Sequence, residues 1–161
     1  MIKAGLLFSV AATAMAIGPG ASAGQLPSGP ADLMVKESTS DVATTQARAT
    51  AALAKLGVPV FATFDHAANA QEAGLSLRPT VVLVFGNPKV GTKLMHDQQA
   101  MALDLPLRIA IWQDAQGITW ISYHDIRRTA DAYGIKDHDT VGKLADFMTA
   151  LIKQAAGDST K

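Results

Sequence analysis

Three short stretches carry the residue types that could do chemistry. The first is Asp65-His66, at the end of "PVFATFD". A histidine titrates near neutral pH, and a neighbouring carboxylate can tune it for general acid–base work. Asp65 and Asp125 are the carboxylates that could serve His66. The same Asp65-His66 pair could instead cap the helix that follows it.

The second stretch is "VFGNPKVGTKL", Val84 to Leu94. Gly86 and Gly91 have the spacing of a phosphate-binding loop, but Thr92 and Lys93 stand in the reverse of the order that loop needs. Pro88 also removes one backbone donor from it. Nucleotide hydrolysis is therefore not expected. Two milder readings remain. The loop could accept an anion at a helix start, with Lys89, Thr92 and Lys93 helping. It could also be an ordinary Gly-Asn-Pro turn with Thr92 as the cap.

The third stretch is Tyr123-His124-Asp125, which ends "ITWISYHD". If the strands that carry these stretches were neighbours, His66, Asn87 and Tyr123 could line one rim over an apolar floor, the usual make-up of a small-molecule pocket. The alternative is that Asp125 caps a helix while Tyr123 is a half-buried core residue. His66, His96, His124 and His138 show no paired ligand spacing, so no metal and no cofactor is expected.

The elements that must position these groups are read from periodicity and punctuation. Residues 32–38 alternate weakly as a first strand. Ser40 or Asp41 can cap a helix running to about Leu56 and ended by Gly57. Residues 59–65 and 80–85 are strands, with a helical turn over 67–73 between them. "TVVLVF" is apolar on both faces, which suits a strand covered on both sides or covered on one side by a partner subunit. A helix is expected over about 92–103. The strands "LPLRIAIWQD" and "ITWISYHD" form a hairpin around Ala115-Gln116-Gly117. A helix over 126–133 stops at Gly134, and one over about 139–156 carries a 3–4 apolar stripe. The pattern predicts an α+β fold: a mixed or antiparallel sheet of about five strands, with helices packed on it, in a single domain.

The N-terminus reads as an export signal. Lys3 precedes an apolar run from Ala4 to Ile17, followed by Ala21-Ser22-Ala23. Cleavage is expected after Ala23, with Ala16 as the weaker choice. A flexible leader over 24–31 would follow, then the domain over 32–157 and a tail over 158–161. The apolar run is short for a permanent membrane span, so a periplasmic or secreted protein is expected, with no membrane association after cleavage. The chain has 161 residues, no cysteine and a formal net charge of +0. Disulfides, thiolate-ligated metals, c-type haem and a lipoprotein anchor are all excluded by the missing cysteine. Near-neutral charge without Lys/Arg runs gives no footprint for nucleic acid.

The segments "PVFATFDHAANAQEAGL", "LRPTVVLVFGNPKVGTKLM", "ALDLPLRIAIWQD" and "GITWISYHDIRRTADAYGI" follow one another in order. Together they resemble the bacterial family known as domain of unknown function 302, over about residues 36–135. The family pattern more often has Asn at position 124 and Pro at position 126, where this chain has His124 and Ile126. The resemblance implies a compact α+β domain, commonly a homodimer, and no established activity. Three functions stay open on the sequence: a dimeric domain that binds a small ligand, an anion among the options, an enzyme using His66, and a structural or protein-interaction dimer. In the last, "TVVLVF" and the Trp112/Trp120 hairpin would form the contact.

Overall fold

A computed structural model describes residues 29–158. The expected signal peptide, most of the leader and the last three tail residues lie outside the described residues. The described residues form five strands and five α-helices. They are β1 (Leu33–Glu37), α1 (Val42–Lys55), β2 (Val60–Asp65), α2 (His66–Glu72), β3 (Thr80–Phe85), α3 (Pro88–Asp97), β4 (Leu107–Gln113), β5 (Thr119–His124), α4 (Ile126–Tyr133) and α5 (His138–Ala156). A 3-10 turn over Gln99–Leu103 follows α3. The sheet order is β1-β5-β4-β3-β2, and every neighbouring pair is antiparallel. The α+β, single-domain expectation is met, with the sheet wholly antiparallel rather than mixed.

Local chemistry explains where the helices begin. Asp41 accepts the Thr44 N–H at 2.7 Å, Asp65 that of Ala68 at 2.9 Å, Asp125 that of Arg127 at 3.0 Å, and Asp137 that of Thr140 at 3.0 Å. Each carboxylate satisfies one of the donors that a helix start leaves without a partner. The chain reverses between β4 and β5 at Gly117, whose φ of +83° is a conformation only glycine takes cheaply. Asp114 closes the same turn by accepting N–H groups of Gln116 and Ile118, and the indole N–H of buried Trp120 at 2.7 Å. That indole bond holds the Asp114 carboxyl below its ordinary range.

The two faces of the sheet differ. Val81, Leu83 and Phe85 of β3, Ile109 and Ile111 of β4 and Ile121 of β5 point to one face. There they meet Ala49 and Leu53 of α1 and Leu151, Ile152 and Ala155 of α5 in the main core. A second core joins Leu94 and Met101 to Ile126, Ala130 and Val141. The opposite face carries a row that crosses all five strands in register: Phe64, Val82, Ala110, Ser122 and Val35. None of these five enters either core cluster, and Phe64 is 48% exposed. One correction to the sequence reading follows. The helix after β3 starts at Pro88 rather than Thr92, because Asn87 is the cap and proline is well suited to the first helical position.

Candidate functional site

The Gly86–Lys93 stretch leaves β3 and enters α3 within two residues. Asn87 organises the turn. Its side-chain oxygen accepts the Lys89 N–H at 3.0 Å. Its carbonyl accepts the N–H groups of Val90 at 2.9 Å and Gly91 at 3.0 Å. Pro88 has no N–H to offer. The donors an anion would use at this helix start are therefore absent or already engaged. Lys89 and Thr92 are exposed on α3.

What the turn does build is one wall of a cavity of about 310 Å³. Gly86, Asn87, Val90, Gly91 and Lys93 line it from the β3–α3 side. Leu105, Pro106 and Leu107 come from the segment entering β4, and Thr140, Lys143, Leu144 and Phe147 come from α5. The apolar walls are anchored in the core. Phe147 meets buried Phe85 edge-on, with ring centroids 6.3 Å apart. Leu105 and Leu144 pack against the second core cluster. At the rim, Lys93 and Lys143 form no ion pair or side-chain hydrogen bond among the described residues. Both lysines lie close enough to Asp137 to help lower its carboxyl, though the larger cause there is hydrogen bonding from Thr140. Burying a single polar head beside apolar walls is what small-ligand sites commonly do.

Lys143, Thr140, Leu105 and Phe147 were not anticipated from the sequence. They come from elements far from the Gly86–Lys93 stretch, and only the docking of α5 beside the β3–α3 turn brings them together. The spacing of Leu144 and Phe147 on α5 reads equally well as ordinary core.

The other expected site residues fall elsewhere. Asp65 pairs with Val81 and Val60 with Phe85, so β2 runs opposite to β3. His66 therefore sits at the end of the sheet away from Asn87, roughly 20 Å off at about 3.3 Å per residue. His66 is exposed. No hydrogen bond among the described residues links it to Asp65 or Asp125, whose carboxylates cap α2 and α4. Tyr123, one residue before the end of β5, lies at the same end of the sheet as Asn87, but β4 lies between them. Its ring packs at the edge of the main core, and burial raises its phenol, with the Asp125 charge adding to this. The three residues His66, Asn87 and Tyr123 do not converge on one rim.

A second concavity lies near Tyr123, lined by Asp32, Asp104, His124, Arg128 and Tyr133 among others. Apart from Asp131, the charged groups here have partners within the protein. His124 Nδ1 lies 2.7 Å from Asp32 Oδ2. The Tyr133 hydroxyl donates to Asp104 at 2.8 Å, and Arg108 approaches the other Asp104 oxygen at 3.6 Å. Arg128 donates to the Ala31 carbonyl at 3.2 Å. Among the described residues no group of three or more His, Cys, Asp or Glu could hold a metal ion.

Comparison with known proteins adds the following. The model of the family described as "Domain of unknown function DUF302" matches residues 34–155. The crystal structure of an uncharacterized conserved protein DUF302 from Bacillus stearothermophilus superimposes with a TM-score of 0.69 at 17% identity. That match covers 78% of this chain and 98% of the other, and it speaks for the fold alone. Two curated relatives are named fluoride-specific ion channels: FluC 1 of Brucella suis biovar 1 and FluC 2 of Brucella melitensis biotype 1. Each is 38% identical over 128 residues. The match takes in 78% of this chain but only 50% and 47% of those proteins. The chain thus spans about half the length of the curated relatives it matches. Among the described residues no helix is long and apolar enough to cross a membrane.

Proposed function

This chain belongs to the DUF302 family, which has no assigned activity, and from that premise we propose that it is an exported, dimeric domain that holds a small ligand in the cavity beside α3. The observation that carries the ligand reading is the cavity itself: apolar walls seated on the core, with Lys93 and Lys143 in no ion pair among the described residues. Of the residues expected to bind, the reading keeps Asn87 and Lys93 and sets His66 and Tyr123 aside. A thermal-shift panel of small metabolites tests it. Hits are expected to be lost when Leu144→Trp fills the cavity. A panel in which every hit survives that substitution removes the reading.

The dimer reading is supported by the outward face of the sheet. Phe64, Val82, Ala110 and Val35 form an apolar band beside Trp112, whose indole donates to Ser122 across the β4–β5 ladder. An apolar face of this kind on a small domain marks an interaction surface. Sedimentation analysis of the full chain is expected to show a dimer at micromolar concentration, and Val82→Glu is expected to dissociate it. A wild-type monomer would end the reading. Export is supported only by the residue pattern of the first 23 positions, and N-terminal sequencing of the secreted or periplasmic protein would check the Ala23 cleavage.

A second reading follows from the relatives. In the Brucella proteins a region like this one shares a chain with roughly as much additional sequence, under the name of a fluoride-specific channel. In this reading the domain works beside an anion channel rather than forming one. Cells lacking this chain would then lose fluoride tolerance and regain it on complementation. Unchanged tolerance would remove the reading.

A further inference from the structure

The geometry points to a ligand class for the cavity beside α3: we propose that it takes an amphipathic monocarboxylate of about ten non-hydrogen atoms, its tail on Val90, Leu105, Leu144 and Phe147 and its carboxylate between Lys93 and Lys143. The inference rests on the reading of this cavity as a ligand site, and it adds size, polarity and charge.

Size comes from the volume. A cavity of about 310 Å³, at the roughly 30 Å³ that one water molecule occupies in the liquid, accommodates on the order of ten non-hydrogen atoms. That is more than a lone inorganic anion fills.

Polarity comes from the walls. Val90 is on α3, Leu105 precedes β4, and Leu144 and Phe147 are on α5. Three separate elements thus present apolar carbon to the same space. An ion bound there without a carbon tail would leave these walls in contact with water. An apolar tail would displace that water with a gain proportional to the area covered.

Charge comes from the rim. Lys93 projects from α3 and Lys143 from α5, and both influence the same carboxylate, Asp137. Asp137 is itself engaged, accepting the Thr140 N–H at 3.0 Å and hydroxyl at 2.7 Å. Among the described residues no carboxylate lines the cavity, so the two ammonium groups of its lining favour an anionic head. The backbone donors of the β3–α3 turn are absent or engaged, so the ammonium groups of Lys93 and Lys143 and the side-chain amide N–H of Asn87 would supply the polar contacts.

The test uses calorimetric titration of the full chain with octanoate, 1-octanol, octylammonium and inorganic phosphate at low ionic strength. Octanoate is expected to bind at least about tenfold more tightly than 1-octanol, the effect of roughly one charge-assisted contact. Octylammonium and phosphate are expected not to bind. Lys93→Gln with Lys143→Gln is expected to abolish the preference for octanoate while leaving 1-octanol binding unchanged. Leu144→Trp or Val90→Phe, whichever retains a cooperative melt, is expected to abolish both. Equal binding of octanoate and 1-octanol, blocked by the filling variants, would overturn the carboxylate class and leave the cavity reading standing. Lysine-dependent phosphate binding that the filling variants do not disturb would overturn the class as well. No binding of any eight-carbon probe, or binding indifferent to the filling variants, would overturn the cavity reading itself.

Discussion

The cavity beside α3 and the groove beside α4 share a border, yet they are made on opposite principles. Leu105 and Pro106 line the first, and Asp104, one residue earlier, lines the second. In the groove each named charge meets a protein partner: Asp32 with His124, Asp104 with Tyr133 and Arg108, Arg128 with a carbonyl. At the cavity the walls are apolar and the two rim lysines have no such partner among the described residues. A self-matched groove fixes its own geometry. It ties the start of β1 to the end of β5 and α4 to the segment before β4. An unmatched rim over apolar walls leaves its contacts for something outside the chain. The more polar concavity is thus the weaker candidate for a binding site, because all of its charged side chains but Asp131 already have partners within the protein.

The comparison breaks most visibly at the cavity wall. Phe147→Ala removes the edge-on contact with Phe85 and deepens the cavity where it touches the main core. Full burial would set the cost at about 3–5 kcal/mol. Phe147 is only partly buried, so a loss of about 2–3 kcal/mol is expected in urea melts. A loss near zero would mean that the wall is not seated on the core. Replacing Lys93 and Lys143 with glutamine is expected to change stability by less than about 0.5 kcal/mol, because neither forms an ion pair or side-chain hydrogen bond among the described residues.

The groove is sharpened by its tyrosine. The chain has two tyrosines, and both titrate late for different reasons. Hydrogen bonding to Asp104 raises Tyr133, and burial raises Tyr123. A spectrophotometric titration is therefore expected to show no phenol ionising at or below the ordinary 10.0. Asp104→Asn should bring one of the two back toward that value and leave the other unmoved. A raised phenol favours the folded state below its unfolded value. That contribution is lost as pH rises through the folded value, so the same variant should also flatten the alkaline limb of the melting curve. If both phenols respond to Asp104→Asn, the two regions are coupled and the division between them is false.

Much of this arrangement could be read from sequence, for identifiable reasons. The element order follows from signals a few residues long: the caps Asp41, Asp65 and Asp125, the stops at Gly57 and Gly134, and the Gly117 reversal. The α3 start lies four residues before Thr92 because Asn87 caps the helix and Pro88 opens it. The site was legible only on one side. Strand ends gather at one rim when strands run parallel, and His66 and Asn87 would have shared an end in that case. The short α2 connection returns β3 antiparallel to β2, which sends His66 to the far end. Nothing local encodes that choice, nor the docking of α5 that adds Lys143, Leu144 and Phe147.

The smallest effect is expected at Asp32 and His124, and it tests whether the groove is structural. Hydrogen bonding from His124 is the main cause that lowers the Asp32 carboxyl from its ordinary 3.8. A lowered carboxyl contributes stability that is present above 3.8 and disappears as pH falls through its folded value. His124→Asn should therefore melt slightly below wild type at pH values above the ordinary 3.8. The difference should close as pH drops past that point. Both partners are partly exposed, at 43% and 31%, so salt should narrow the gap as well. The same substitution should leave eight-carbon ligand binding untouched, since His124 does not line the cavity. A fall in ligand affinity with no change in the acid melt would reverse the assignment, making the groove the binding region and the cavity part of the scaffold.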